Sequence, residues 1–91
     1  MKTGIELIAE ERQRQVEKWT KEHDNQPKCG ELSDTAVCYA MRGYWRRRIS
    51  IIEIFPFDMK WWKPTPDDRI KELQKAGALI AAEIDRLQYL N

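Results

Sequence analysis

Between Ile70 and Leu87 the chain sets Ile70, Leu73, Gly77, Ile80, Ile84 and Leu87 at alternating intervals of three and four residues. That interval is the pitch of an α-helix and places all six positions on one side of it. A β-strand cannot use the same pattern, because its side chains alternate with a period of two. Just before it, Thr65-Pro66-Asp67-Asp68 supplies an N-cap, a proline suited to the first helical position, and two acids where the helix dipole favours them. The spacing predicts a helix over about 66–89. Ala76, Ala78, Ala81 and Ala82 interleave with the stripe and allow another helix to approach closely.

Two more helices follow from the same reasoning. Thr3-Gly4-Ile5-Glu6 is a capping box, and Ile5, Ile8, Val16 and Trp19 then share one face over about 4–20. Arg12 sits inside that stripe and calls for an acidic partner, and Glu11 flanks it. Asn25, Pro27 and Gly30 break the chain. From Glu31, the residues Leu32, Ala36, Val37, Ala40, Met41 and Tyr44 predict a second helix over about 31–46, with Trp45-Arg46-Arg47-Arg48 loading its C-terminal end with cations. Residues 49–64 fit no helix. Their β-formers allow a short strand or hairpin, and the prolines and paired tryptophans favour a packed aromatic loop. The expected fold is therefore a single all-α domain over 1–91, three main helices and one long aromatic loop.

Composition limits what such a domain can do. Sixteen basic and fifteen acidic residues nearly cancel, which argues against binding long nucleic acid or a membrane surface by bulk charge. No apolar run approaches the ~20 residues that span a bilayer, and the start of the chain has no apolar signal core. Two cysteines make no disulfide framework. These features predict a cytoplasmic protein. Four Trp, three Tyr and two Phe are many for three short helices to bury, which points to self-association or to an aromatic ligand site.

Three groups of residues offer chemistry. Glu31 and Asp34, at i and i+3, could present oxygens to one hard cation, although acids at a helix start also serve the dipole. Glu11 and Glu83 could complete such a metal set, with Arg12 and Lys75 as the alternative partners for Glu83. His23 and Asp24 form a second group in a polar loop; one His and two distant Cys do not make a zinc site. The third is the basic–aromatic pair of segments "RGYWRRR" and "KWWKP". Guanidinium forks match phosphate oxygens and indole faces stack on bases. No glycine-rich phosphate loop is present.

The segments "IAEERQRQVEKWTKEHDN", "GELSDTAVCYA", "WWKP" and "KAGALIAAEIDRL" resemble a family of small proteins encoded by phages and prophages. That family is in turn similar to MazG-type nucleoside triphosphate pyrophosphohydrolases, all-α oligomeric enzymes that use Mg²⁺ held by an ExxE pair and an ExxD pair. The resemblance maps the ExxD pair onto Glu31 and Asp34. The chain has no ExxE, a departure that removes half of the expected metal cage. What the resemblance then implies is nucleotide binding without turnover, of the kind small phage proteins use to sequester nucleotide signals of bacterial immunity.

The expected function is thus an oligomeric sponge for a nucleotide-like small molecule, needing no cofactor. Arg12, His23, Arg46, Arg47 and Arg48 would hold phosphates, Trp45, Trp61 or Trp62 would stack on a base, Glu31 and Asp34 would accept hydrogen bonds from ribose or base or orient the arginines, and Asp24 would join the ligand-binding set. The competing expectations are a Mg²⁺-dependent pyrophosphohydrolase using Glu31, Asp34, Glu11 and Glu83, and a small protein-interaction module.

Overall fold

The computed structural model describes residues 1–21 and 31–90, with side chains at 1–18 and 31–89. Among the described residues the protein is all-α, without a strand. Helix α1 spans Gly4–Lys21, α2 Glu31–Ala40, and α5 Arg69–Leu90. Between α2 and α5 lie two single-turn helices, α3 at Gly43–Arg46 and α4 at Ile51–Ile54, and a 3₁₀ turn at Met59–Trp61. The predicted loop over 49–64 is therefore partly helical. The β-formers Ile51 and Ile54 sit in α4, which closes with the Phe55 amide donating to the Ile51 carbonyl.

The capping box at the start of α1 forms as the sequence predicts. The Glu6 amide donates to Thr3 Oγ1 (3.2 Å), and Glu6 accepts from the Thr3 amide (3.0 Å). That amide and the Thr3 hydroxyl hold the Glu6 carboxyl below the usual range.

The second helix ends six residues before its predicted limit, at Ala40. Arg42 is extended (φ −69°, ψ 155°), and a separate turn begins at Gly43. The physical reason is that two side chains take over the carbonyls of the last turn. Arg46 donates to Cys38 O (3.2 Å) and Tyr39 O (2.8 Å), while Arg69 donates to Tyr39 O (3.0 Å), Met41 O (3.1 Å) and Ala40 O. Carbonyls satisfied in this way do not need a further helical turn.

The start of α5 is also shifted, from 66 to 69. Residues 65–68 form a turn, closed by the Asp68 amide donating to Thr65 O (2.8 Å). Asp68 then caps the helix by accepting from the Lys71 amide (3.1 Å). An aspartate therefore holds the N-cap position expected of Thr65.

The core lies between α2 and α5: Leu32, Ala36 and Tyr39 meet Ala76, Leu79 and Ala82, and Trp62 seals one end. The alanines of α5 permit the close approach expected of them. Trp62 lies 4.8 Å from Tyr39 and 5.4 Å from Phe55, ring centre to ring centre. The segment after α3 is thus anchored through its aromatics. Helix α1 packs on another side of α5, where Ile8 covers Gly77. A Cβ at Gly77 would lie 2.5 Å from Ile8 Cδ1, so glycine sets how near the two helices come.

The 3-4 stripe of α5 does not face this core. Ile70, Leu73, Ile80, Ile84 and Leu87 remain 63, 45, 49, 52 and 47% exposed. The face that is buried instead carries Glu72, Ala76, Ala78, Leu79 and Ala82. No described helix is long and apolar enough to cross a membrane.

Candidate ligand cleft

At the α1–α5 junction charged and polar side chains border open space. Gln74 donates from Nε2 to Leu7 O (3.1 Å), and Ile8 sits on Gly77, which brings the next turn of α1 beside the C-terminal half of α5. Arg12 emerges there and donates to Asp85 Oδ2 from Nε (3.3 Å) and Nη2 (3.1 Å). The acidic partner that Arg12 calls for is therefore Asp85. Among the described residues, Arg12, Asp85, Gln88 and Tyr89 line a cleft of about 360 Å³. The cleft is shallow and largely open to solvent. The Tyr89 ring is almost fully exposed, and the Arg12 guanidinium is mostly shielded. A cation, a carboxylate, an amide and an aromatic face thus border one opening.

A second cluster of the same residue types lies between α2, α3 and α5 and is closed. Glu72 is 1% exposed. It accepts from Arg46 (2.7 Å), from Arg69 (3.2 Å) and from the Thr65 amide (3.0 Å). Burial by itself would raise its pKa. The Arg46 hydrogen bond and charge, the Thr65 amide and Arg69 together hold it below the ordinary carboxyl value. Arg46 also stacks 5.4 Å above the Trp62 ring. Both guanidiniums also donate to the carbonyls that end α2. These bonds tie the corner into the fold.

The predicted ligand residues therefore separate. Arg12 lines the cleft. Arg46 and Trp62 belong to the closed corner. Trp45 is half exposed and meets Tyr44 edge-on at 5.0 Å, while Arg48 lies 4.3 Å over the Tyr44 ring. Arg47 is exposed beside Gly43. Trp61 is 38% exposed with Lys18 and Lys60 over it at 5.6 and 5.5 Å. Glu31 is half-buried and its carbonyl accepts from the Thr35 hydroxyl (2.8 Å). None of these residues lines the cleft with Arg12. His23 and Asp24 lie outside the described residues, as do Cys29 and the side chain of Trp19.

The predicted metal set is dispersed as well. Glu11 is buried and accepts from both Arg14 nitrogens (3.0 and 2.9 Å). Glu83 accepts from Arg86 (2.6 and 3.3 Å), one turn along its own helix, and from neither Arg12 nor Lys75. Asp34 is exposed. No three His, Cys, Asp or Glu among the described residues stand close enough to hold a metal ion. Lys75 instead bridges to Lys63 O (3.1 Å) and lies 5.3 Å over Tyr39; burial, then repulsion from Lys71, lowers its pKa. Cys38 is fully buried, and burial followed by the Asp34 charge pushes its thiol pKa up, away from nucleophilic use.

Nothing in the spacing marks Gln88 or Tyr89, which follow the last apolar position of α5 and read as a helix end. No protein-family model, curated protein or solved structure matches the chain.

Proposed function

We propose that the protein captures a small, phosphate-bearing, nucleotide-like molecule without cleaving it, acting as an oligomer. The observation that carries this reading is the cleft in which Arg12, Asp85, Gln88 and Tyr89 come together. A guanidinium suits a phosphate, an exposed phenol ring suits a base, and a carboxylate and an amide suit ribose or base edges. Glu11 and Glu83 are each held by an arginine, which favours capture over the metal-assisted hydrolysis that the MazG resemblance would imply. On the same resemblance, the protein acts in the cytoplasm of a phage-infected bacterium and its ligand is a nucleotide signal of immunity.

The test is depletion of small molecules from solution. The protein is incubated with a panel of nucleoside triphosphates and cyclic dinucleotides, with and without Mg²⁺, then heat-denatured, and the released compounds are identified. Capture predicts that one compound is removed from solution and recovered intact, and that Arg12→Gln abolishes its removal. Recovery of cleaved product together with pyrophosphate would establish the hydrolase instead. Removal of no compound would reject both.

A further inference from the structure

The arginine-rich turn after α2 takes part in neither the fold's buried contacts nor the cleft, apart from one side chain. Residues 42–52 carry four arginines and no acid. The stretch from Arg42 to Ile49 keeps helical register: the amides of Arg46 and Arg47 donate to Arg42 O and Gly43 O (both 3.1 Å), and that of Ile49 to Trp45 O (2.9 Å). Arg46 is the member that reaches inward, to Glu72 and the end of α2. Residues two positions away on a helix lie about 200° round its axis. Tyr44 and Arg48 therefore face away from the closed corner, with Trp45 and Arg47 on their flanks, and all four are exposed. Arg48 lies 4.3 Å over the Tyr44 ring, and Tyr44 meets Trp45 edge-on at 5.0 Å. None of Arg42, Arg47 and Arg48 pairs with a carboxylate among the described residues.

We infer that this turn is a binding surface for single-stranded nucleic acid, separate from the cleft. A guanidinium held over a ring is fixed in place while its N–H groups stay available to phosphate oxygens. The half-exposed Trp45 indole, two rings along, offers a face on which a base can stack. Phosphate and unpaired base side by side are what a single strand presents, whereas a duplex hides its base faces. A polyanion also supplies what the turn lacks, a counter-charge for three arginines. Arg42 and Arg48 stand about 9 Å apart along the helix axis, which suits successive phosphates of a strand rather than one phosphate. An anionic bilayer is a poorer match, because Tyr44 cannot enter the acyl region without taking the Arg48 charge with it. The near-neutral charge of the whole chain excludes binding by bulk charge, and here the charge is local and the contacts few. The surface shares no residue with the cleft, so it stands whether or not the cleft captures a nucleotide.

The experiment is fluorescence anisotropy of a labelled oligothymidylate, about 12 nucleotides long to match one small single-strand site, titrated with the protein at low salt. Circular dichroism checks that each variant stays folded. The parent chain is expected to bind with a log–log salt slope of about −2, the value for three phosphate contacts. Trp45→Ala should weaken binding roughly 5- to 100-fold. Arg48→Gln should weaken it too and flatten the salt slope by about 0.7. Lys2→Gln, which removes an exposed charge outside the turn, should change neither. The same strand paired with its complement should bind more weakly than the strand alone. If Trp45→Ala loses helicity, Arg48→Gln decides. Failure of the parent chain to bind, binding untouched by the two variants in the turn, an equal loss in Lys2→Gln, or a duplex bound as tightly as the strand would overturn the inference. So would full competition by thymidine monophosphate at equal nucleotide concentration, which would assign the turn to a free nucleotide. Binding of phosphatidylserine vesicles in place of the strand would assign it to a membrane surface and overturn the inference as well.

Discussion

Two arginine–carboxylate clusters, one at each end of α5, use the same functional groups to opposite ends. At the N-terminal end Glu72 is buried and receives three donors, and its arginines end α2. At the C-terminal end Arg12 meets Asp85 beside open space, where the Asp85 side chain is 55% exposed. An ion pair taken out of water is sustained only when every donor and acceptor is matched, and removing one member then leaves an uncompensated charge. A pair at the surface contributes little to stability and keeps its groups available for other partners. Residue type therefore does not separate the two clusters; the exposure of the carboxylate does, 1% at Glu72 and 55% at Asp85.

The contrast breaks most readily at Glu72. Glu72→Ala leaves Arg46 and Arg69 facing each other without their acid, and should cost ~3–5 kcal/mol in urea unfolding. At ~4–8 °C per kcal/mol for a domain of this size, that is enough to unfold much of the protein near physiological temperature. A loss under about 1 kcal/mol would place this cluster in the same class as an exposed pair.

A smaller effect is expected where the open end is set up. Gly77→Ala forces a methyl group into Ile8, with overpacking costing ~1–3 kcal/mol, offset by the roughly 1 kcal/mol that alanine gains over glycine within a helix. The net loss should vanish in an Ile8→Ala background, where the added methyl has room. Persistence of the full loss in that background would show that the α1–α5 spacing is set elsewhere.

The smallest effect on stability, and the largest on the proposed capture, belongs to the cleft. Asp85→Asn should change unfolding by less than about 1 kcal/mol while altering which compounds the protein removes from solution. A large destabilisation there would make Arg12 and Asp85 a second structural corner.

The sequence carries some of this plainly. The Thr3–Glu6 box needs only neighbouring residues, and it forms as read. The long apolar stripe correctly announces α5, but periodicity says which residues share a face and not what covers that face. The structure sets the alanine side against α2 and leaves the five large apolar side chains of the stripe about half exposed. Glu72 escapes notice for a similar reason. In sequence it is an ordinary acid in the first turn of a helix, and its partner Arg46 is 26 positions away with no repeat connecting them. The cations after α2 are read with the right sign for a helix C-terminus. Their reach back to the Cys38 and Tyr39 carbonyls, which ends the helix early, depends on a tertiary fold that brings Arg69 to the same spot. The cleft depends on a helix crossing, so only Arg12 stands out beforehand, as a charge within an apolar stripe.

The pH dependence of unfolding tests the division between the two clusters most directly. Glu72 has a folded-state pKa below its ordinary value of 4.5, so its contribution is complete above about 4.5 and is lost as pH falls through the lower folded value. Glu72→Gln should therefore be much less stable than the parent at pH 7, with the gap closing as the solution is acidified through that window. A gap for Glu72→Gln that does not change with pH would contradict the account.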